Sequence, residues 1–349
     1  MDYNSPGLGK AERDVPLEDG QGKGRMKRVP VTAVLVCLAT LSACTAEGTT
    51  LTATIGFTEN NAADPFPPTL TVSATSTPAA TPTETATPTD FRTPTPTSTL
   101  APNAWQSMPV VPAADRNTRR VYQDGQGFGN DAHAFSILGD CISLSNNFFG
   151  DLGKGPENYK LGDYAYLEAA IEWFRDSFNR QSVTLGDGFN SASVLSPLWT
   201  DPKRCEKNET PLVCEYRIQH PSYAIVSLGT DDKFTSPKVY EDRMRQIVEY
   251  SLSHGVIPIL ATKADNREGN YSFNRILAAL AYEYDVPLWN FWAAVQPLYL
   301  HGLADSHGHL TWAEPDDFEN PEGLKRGVPI RSLTALQTLD SLWHGVTAQ

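Results

Sequence analysis

The chain has 349 residues, with 28 Lys and Arg against 41 Asp and Glu, and a formal charge of -13. With 40% hydrophobic residues it is long enough for one large globular domain plus appendages. No Lys/Arg-rich run offers a basic footprint for phosphates, so nucleic acid is excluded as an expected partner.

Residues 1–25 are polar and Gly-rich, and read as a disordered extension or as a misassigned start ahead of Met26. Residues 26–44, MKRVPVTAVLVCLATLSAC, combine a basic start (Lys27, Arg28), an apolar run too short to span a membrane stably, and a small-residue exit. This is the pattern of a signal peptide. Its end, Leu41-Ser42-Ala43-Cys44, resembles a bacterial lipobox, after which Cys44 would carry the lipid; an uncleaved N-terminal anchor is the competing reading. The expected location is the bacterial cell membrane, with a lipid-anchored chain facing the extracytoplasmic side.

Residues 45–104 are dominated by Thr, Pro, Ala and Ser, as in TPAATPTETATPTDFRTPTPTSTLAP. Such a segment lacks the apolar side chains to offset its ordering entropy, and a disordered stalk is expected. With about 50 of its residues in polyproline geometry, at roughly 3.1 Å each, it would reach on the order of 150 Å. A linker of no required length is the alternative.

The folded domain is expected over 105–349. Apolar or β-branched runs at 135–139, 182–185, 224–228, 256–261 and 287–291 predict strands. Helical spacing predicts helices at 164–178 (Leu167, Ala170, Ile171, Phe174, Phe178) and 239–254 (Met244, Ile247, Val248, Leu252), then at 273–284 and 332–343. This alternation predicts right-handed crossovers and a three-layer α/β/α sandwich with a five-stranded parallel sheet. Ligands bind such sheets beyond the carboxyl ends of the strands, which directs attention to Asp140 and Cys141 and to 186–191, 229–232 and 262–266.

The five cysteines separate by position. Cys37 lies in the leader and Cys44 takes the lipid. Cys205 and Cys214 flank the polar stretch CEKNETPLVC, where an exported setting favours a local disulfide; with no His nearby, a metal site is the poorer alternative. Cys141 is left over, either buried or used.

Four pieces then occur in order at strand ends: Gly139-Asp140-Cys141, a Gly-rich loop around Gly188, Gly229-Thr230-Asp231-Asp232, and Asp305-Ser306-His307-Gly308-His309-Leu310-Thr311. Over about residues 130 to 315 the chain resembles the SGNH hydrolases, the GDSL-type esterases and lipases, whose fold is flavodoxin-like. The resemblance implies ester cleavage by acyl transfer, with acetyl esters of carbohydrates as candidate substrates. Cys141 would stand as nucleophile, His309 as base and Asp305 as its orienting carboxylate. Gly188 and Asp231 would take the oxyanion positions, with Asp140, Asn190 and Lys263 lining the substrate cleft.

Three departures accompany the resemblance. Cys141 replaces the family's Ser. Asp231 replaces the Asn that donates to the oxyanion, and an ionised carboxylate has no such donor. Asp305 lies four residues before His309 instead of three, which leaves His307 as a rival base. Within 186–191, Gly188 and Ser191 compete for the backbone donor, and Asn190 reads either as a side-chain donor or as a turn former. Lys263 reads as an anion contact or a solvated side chain, and Trp289 to Trp292 as a sugar-binding wall or core packing. A catalytically silent domain that binds glycan is the rival function. Neither cofactor nor metal is expected, and the chain is expected to be a monomer.

Overall fold

The computed structural model describes residues 42–44, 50–54, 73–75 and 100–348. The chain divides into two units, Met1–Asp90 and Phe91–Gln349. The expected leader, except for its last three residues, and most of the expected stalk lie outside the described residues. In the first unit, β1 (Ser42–Cys44), β2 (Thr50–Thr54) and β3 (Ser73–Thr75) form an antiparallel sheet in the order β1-β2-β3. Ala43 pairs with Leu51 and Ala53 with Ala74. Paired backbone at 50–54 and 73–75 falls where composition argues for unpaired chain; the Thr residues there are β-branched, which suits them to strands.

The second unit runs α1 (Arg116–Phe128), β4 (Asp131–Gly139), α2 (Glu168–Trp173), α3 (Arg175–Phe178), α4 (Pro211–Gln219), β5 (Pro221–Ser227), α5 (Pro237–Ser253), β6 (Ile257–Ala261), α6 (Ser272–Tyr284), β7 (Leu288–Trp289), α7 (Phe291–Val295) and α8 (Gly327–Thr347). The strands form a parallel sheet in the order β4-β5-β6-β7. Along each strand, alternate residues enter opposite cores. Phe135, Ile137, Tyr223, Ile225, Ile259 and Trp289 meet Val121 of α1 and Leu336 and Leu339 of α8. Leu138, Ala224, Val226, Leu260 and Leu288 meet Tyr216 of α4, Met244 of α5 and Leu277 of α6. The period-2 sorting is what a sheet covered on both faces requires, and it makes the domain a three-layer α/β/α sandwich.

The sheet has four strands instead of the expected five. Segment 182–185 contributes a single parallel bridge, Leu185 to Gly139, on the free edge of β4. Side-chain hydroxyls there replace ladder bonds: Ser177 Oγ and Ser182 Oγ accept from the N–H groups of Phe135 and Ile137, both at 3.0 Å. Thr184 Oγ1 donates to Ile137 O at 2.8 Å. Buried Glu215 of α4 fixes the segment from below, accepting from Val183 N (2.7 Å), Ser136 Oγ (2.7 Å) and Arg180 Nη1 (2.8 Å). The edge is satisfied without a regular fifth strand. With this segment counted, the spatial order is second, first, third, fourth, fifth, which puts the topological switch point between β4 and β5.

Sequence periodicity also leaves α1 and α4 unannounced. Helix α1 buries only Thr118, Val121 and Gly125, and is capped by Asp115, whose side chain accepts from Thr118 N at 2.7 Å. It packs closely because a Cβ at Gly125 would fall 2.1 Å from Gly255 O. Helix α4 is joined to the preceding loop by the Cys205–Cys214 disulfide, with Cα atoms 5.4 Å apart. The helix expected over 164–178 is split into a 3-10 turn (Gly162–Leu167), in which Tyr164 leaves helical geometry (φ -99, ψ 22), then α2 and α3, which Phe174 (φ -102, ψ 15) separates. Among the described residues no helix is long and apolar enough to cross a membrane.

Candidate active site

Strand β4 ends in a tight 3-10 turn, Cys141–Ser143. Gly139 is required for it, since a Cβ there would fall 2.5 Å from Ser143 Oγ. Asp140 caps the turn: its side chain accepts from Ile142 N at 3.2 Å and its carbonyl from Ser143 N at 2.9 Å. At 1% exposure its carboxyl faces the interior, so the expectation that Asp140 contacts substrate gives way to a role in shaping the turn. Burial pushes this carboxyl up to about 7, with Arg331 opposing and Asp231 and Asp265 adding to the rise.

Cys141 is half-buried and is not in a disulfide. Burial, then the carboxylates of Asp140, Asp231 and Asp187, push its thiol up to about 11, so at neutral pH it is protonated and depends on a base. The turn rests on Arg331, a fully buried residue of α8 that the sequence reading passes over. Its guanidinium donates to Ile142 O (2.6 Å), Ser143 Oγ (2.8 Å) and Ser227 Oγ (2.8 Å), and lies 4.1 Å over the Phe148 ring. A signal was legible: Arg331 falls at core spacing between Val328 and Ala335 of an apolar helix face.

The loop after Leu185 joins this turn through Gly186 N, which donates to Gly139 O at 3.3 Å. Gly188 has a φ of +73 and open space around it, and no hydrogen bond holds its N–H among the described residues. Ser191 is fully buried, and its N–H and hydroxyl both donate to Asp232. It ties two strand-end loops together and leaves Gly188 as the available backbone donor. Asn190 is a turn former: its Oδ1 accepts from Ala192 N (2.9 Å) and Ser193 N (3.1 Å).

Asp231 sits 3.8 Å from Arg267 Nη1, with its side chain 24% exposed. Lys263 does not face the cleft as an anion contact. It is 5% exposed, 2.6 Å from both Asp265 Oδ1 and Glu268 Oε2, and spent on that interior pair. Asp265 in turn accepts from Thr230 Oγ1 at 2.8 Å, steadying the loop that carries Asp231. Trp289 and Phe291 pack the core, Trp289 donating to Thr334 Oγ1 at 3.1 Å.

The segment with Asp305 folds over these loops. Gly308 (φ +92) lies so close that a Cβ would fall 2.8 Å from Thr230 Cγ2, and Trp312 Nε1 donates to Asn146 O at 3.3 Å. A Leu303–Leu310 bridge and the bond from Ala304 N to His309 O (2.8 Å) close it into a tight hairpin. Four residues of separation thereby become a contact: His309 Nδ1 stands 2.6 Å from Asp305 Oδ2, while His307 Nδ1 is at 4.0 Å. Burial would raise the Asp305 carboxyl, but the His309 ring and the N–H groups of His307 and His309 outweigh it and hold it below its ordinary value. Cys141, Gly188 and Asp231 thus follow strand ends on the carboxyl side of the sheet, and Gly308 sets the His309–Asp305 hairpin against Thr230 and Asp265 on that side. No hydrogen bond runs between Cys141 and His309.

The one cluster with metal-ligand geometry among the described residues, Cys205, Glu209 and Cys214, is otherwise engaged. The two sulfurs are bonded to each other, and Glu209 takes both Arg217 Nε (2.6 Å) and Nη2 (2.8 Å).

No family model matches the chain, and no curated protein matches it in sequence. Among solved structures it is similar to an alpha/beta hydrolase enzyme from the metagenome of Lake Arreo, Spain, at 17% identity and a TM-score of 0.37, over 60% of this chain and 95% of that one. It is similar to an acetyl xylan esterase at 11% identity and a TM-score of 0.35, over 58% and 96%. A GDSL-like lipase from Bacteroides thetaiotaomicron is similar at 12% identity and a TM-score of 0.34, over 64% and 97%.

Proposed function

We propose that the chain is an ester hydrolase of the SGNH type, working by acyl transfer through Cys141. The observation that carries the reading is the His309–Asp305 pair at 2.6 Å, on the sheet end that also carries a cysteine and two backbone N–H groups, of Cys141 and Gly188, with no acceptor among the described residues. In the first half-reaction His309 Nε2 takes the thiol proton and the sulfur attacks the ester carbonyl carbon. The C–O bond to the alcohol then breaks, and the alcohol leaves with the proton returned by His309. In the second half-reaction His309 takes a proton from water, the hydroxide attacks the thioester, and the acid leaves as the thiol is restored. Asp305 holds the imidazole with Nε2 free and stabilises its cation. The N–H groups of Cys141 and Gly188 receive the oxyanion.

Acetyl esters on cell-envelope or environmental polysaccharide are the proposed substrates, and a lipid carried by Cys44 on an exported chain is the proposed anchor. The lipobox-like Leu41-Ser42-Ala43-Cys44 supports the anchor, and the proposed substrates fit that location. The test is p-nitrophenyl acetate turnover before and after iodoacetamide treatment, with the label mapped by mass spectrometry. Loss of turnover in step with labelling of Cys141 is expected; absence of turnover in the untreated protein rejects the reading.

A second reading has its own observation. The carboxylates around Cys141 oppose both thiolate and oxyanion, which suits a silent domain that keeps the cleft to bind glycan. Equilibrium binding of acetylated and deacetylated polysaccharide by a chain without turnover would favour it.

A further inference from the structure

We propose that Arg331 is a positioning residue that orients and polarises the Cys141 N–H through a relay of two peptide groups. Its effect on turnover rests on the ester-hydrolase reading; the relay itself does not.

Arg331 is fully buried, and among the described residues no carboxylate lies within 4.0 Å of its guanidinium; the buried Asp140 carboxyl acts on it from farther away. Removing such a cation from water without a paired carboxylate is costly, so the acceptors it does engage indicate what it is for. One of them is Ile142 O, at 2.6 Å. That carbonyl belongs to the peptide whose N–H is that of Ser143, and Ser143 N donates to Asp140 O at 2.9 Å. The Asp140 carbonyl belongs in turn to the peptide whose N–H is that of Cys141. This last N–H has no acceptor among the described residues.

Each peptide is a resonance unit, so electron density drawn toward its oxygen makes its N–H a stronger donor. A buried cation at one end of two such units therefore strengthens the unengaged donor at the other. The remaining bonds of Arg331, to Ser143 Oγ and Ser227 Oγ, and its stacking on Phe148 fix the guanidinium against the loop after β4 and the end of β5. The titratable groups facing this arrangement are Asp140, Cys141 and Asp231, with Asp265 acting on Asp140 and Asp187 on Cys141.

The experiment compares the native chain with Arg331→Met, Arg331→Lys and Ser227→Ala, following the amide resonances of Cys141 and Ser143 in the 15N-labelled full chain together with kcat and KM for p-nitrophenyl acetate. Arg331→Met is expected to move both amide protons upfield and to lower kcat roughly tenfold with KM little changed, less than loss of a direct oxyanion donor costs. Arg331→Lys keeps the charge but engages fewer acceptors, so it shifts both resonances in the same direction by less; it carries the test alone should the Met variant not fold. Ser227→Ala removes a contact outside the relay and should lower the melting temperature while both resonances stay in place. The proposal is overturned if the Arg331 variants leave the resonances unmoved, or if Ser227→Ala moves them as far. A native chain without turnover overturns the hydrolase reading, while the resonances still decide the relay.

Discussion

Replacing Asp231 by Asn tests the most telling departure in the site. In the proposed mechanism the carboxylate would act in two ways: it helps push the Cys141 thiol up to about 11, and it would offer no donor at the proposed oxyanion position. The Asp231→Asn change would remove a negative charge from the thiolate's surroundings and add an amide N–H. Gaining one well-placed oxyanion donor lowers the barrier by up to roughly 3 kcal/mol, or about a hundredfold in kcat. The expected range is about 10- to 100-fold, because the amide is not held by partners as a native donor would be. The cost to folding is small: the Arg267 contact is long at 3.8 Å and the Asp231 side chain is 24% exposed, so its loss is worth less than about 1 kcal/mol. The assay pairs kcat/KM for p-nitrophenyl acetate with the rate of Cys141 alkylation at pH 8, and both should rise. If the variant folds and neither rate moves, Asp231 lies outside both the oxyanion position and the field of the thiol, and the proposed site fails.

Other outcomes follow from the same geometry. Asp305→Asn keeps the shape but loses the charge that holds the His309 imidazole, so kcat should drop by roughly 10²- to 10⁴-fold with the melting temperature nearly unchanged; an equal loss from His307→Gln would move the base to His307. The Asp140 carboxyl is raised to about 7 from an unfolded value of 3.8, so the native state holds a proton that the unfolded chain has released. Its contribution is fully present below about pH 4 and is lost as pH rises through about 7, by as much as ~4 kcal/mol. Denaturant titrations across pH 4 to 8 should show that fall, and Asp140→Asn should flatten it. Reducing the Cys205–Cys214 disulfide opens a loop with a sequence separation of 9, which should cost about 2 to 3 kcal/mol in urea unfolding; no shift in the midpoint would mean that the loop is held by its other contacts.

Much of the fold was legible because a parallel sheet covered on both faces writes itself as apolar runs: four of the five expected runs are strands, and helices α5, α6 and α8 lie where the 3.6-residue pattern puts them. Segment 182–185 misled because Ser182 and Thr184 bond to β4 through hydroxyls, which strand composition does not distinguish from ladder pairing. Helix α1 escaped notice because it buries so few apolar side chains. In the site, residue identity at strand ends was readable, since position follows from topology. Orientation was not. Asp140 and Lys263 are turned inward by partners distant in sequence or hidden within their own loops, and nothing local in Lys263-Ala264-Asp265 says that Glu268 closes the pair. The contact from Asp305 to His309 depends on a hairpin held by Leu303 and Leu310. Arg331 had a readable anomaly, a charge on an apolar stripe, but its acceptors lie 104, 188 and 189 residues away in sequence.

The central claim is that Cys141 carries the acyl group. Rapid acid quench of the native chain with p-nitrophenyl acetate, followed by peptide mass spectrometry, tests it directly. A hydroxylamine-sensitive acetyl adduct on Cys141 is expected, accumulating in His309→Gln or Asp305→Asn if deacylation becomes limiting, and absent in Cys141→Ala. Turnover at native rate in Cys141→Ala, or an adduct confined to another residue, would contradict it.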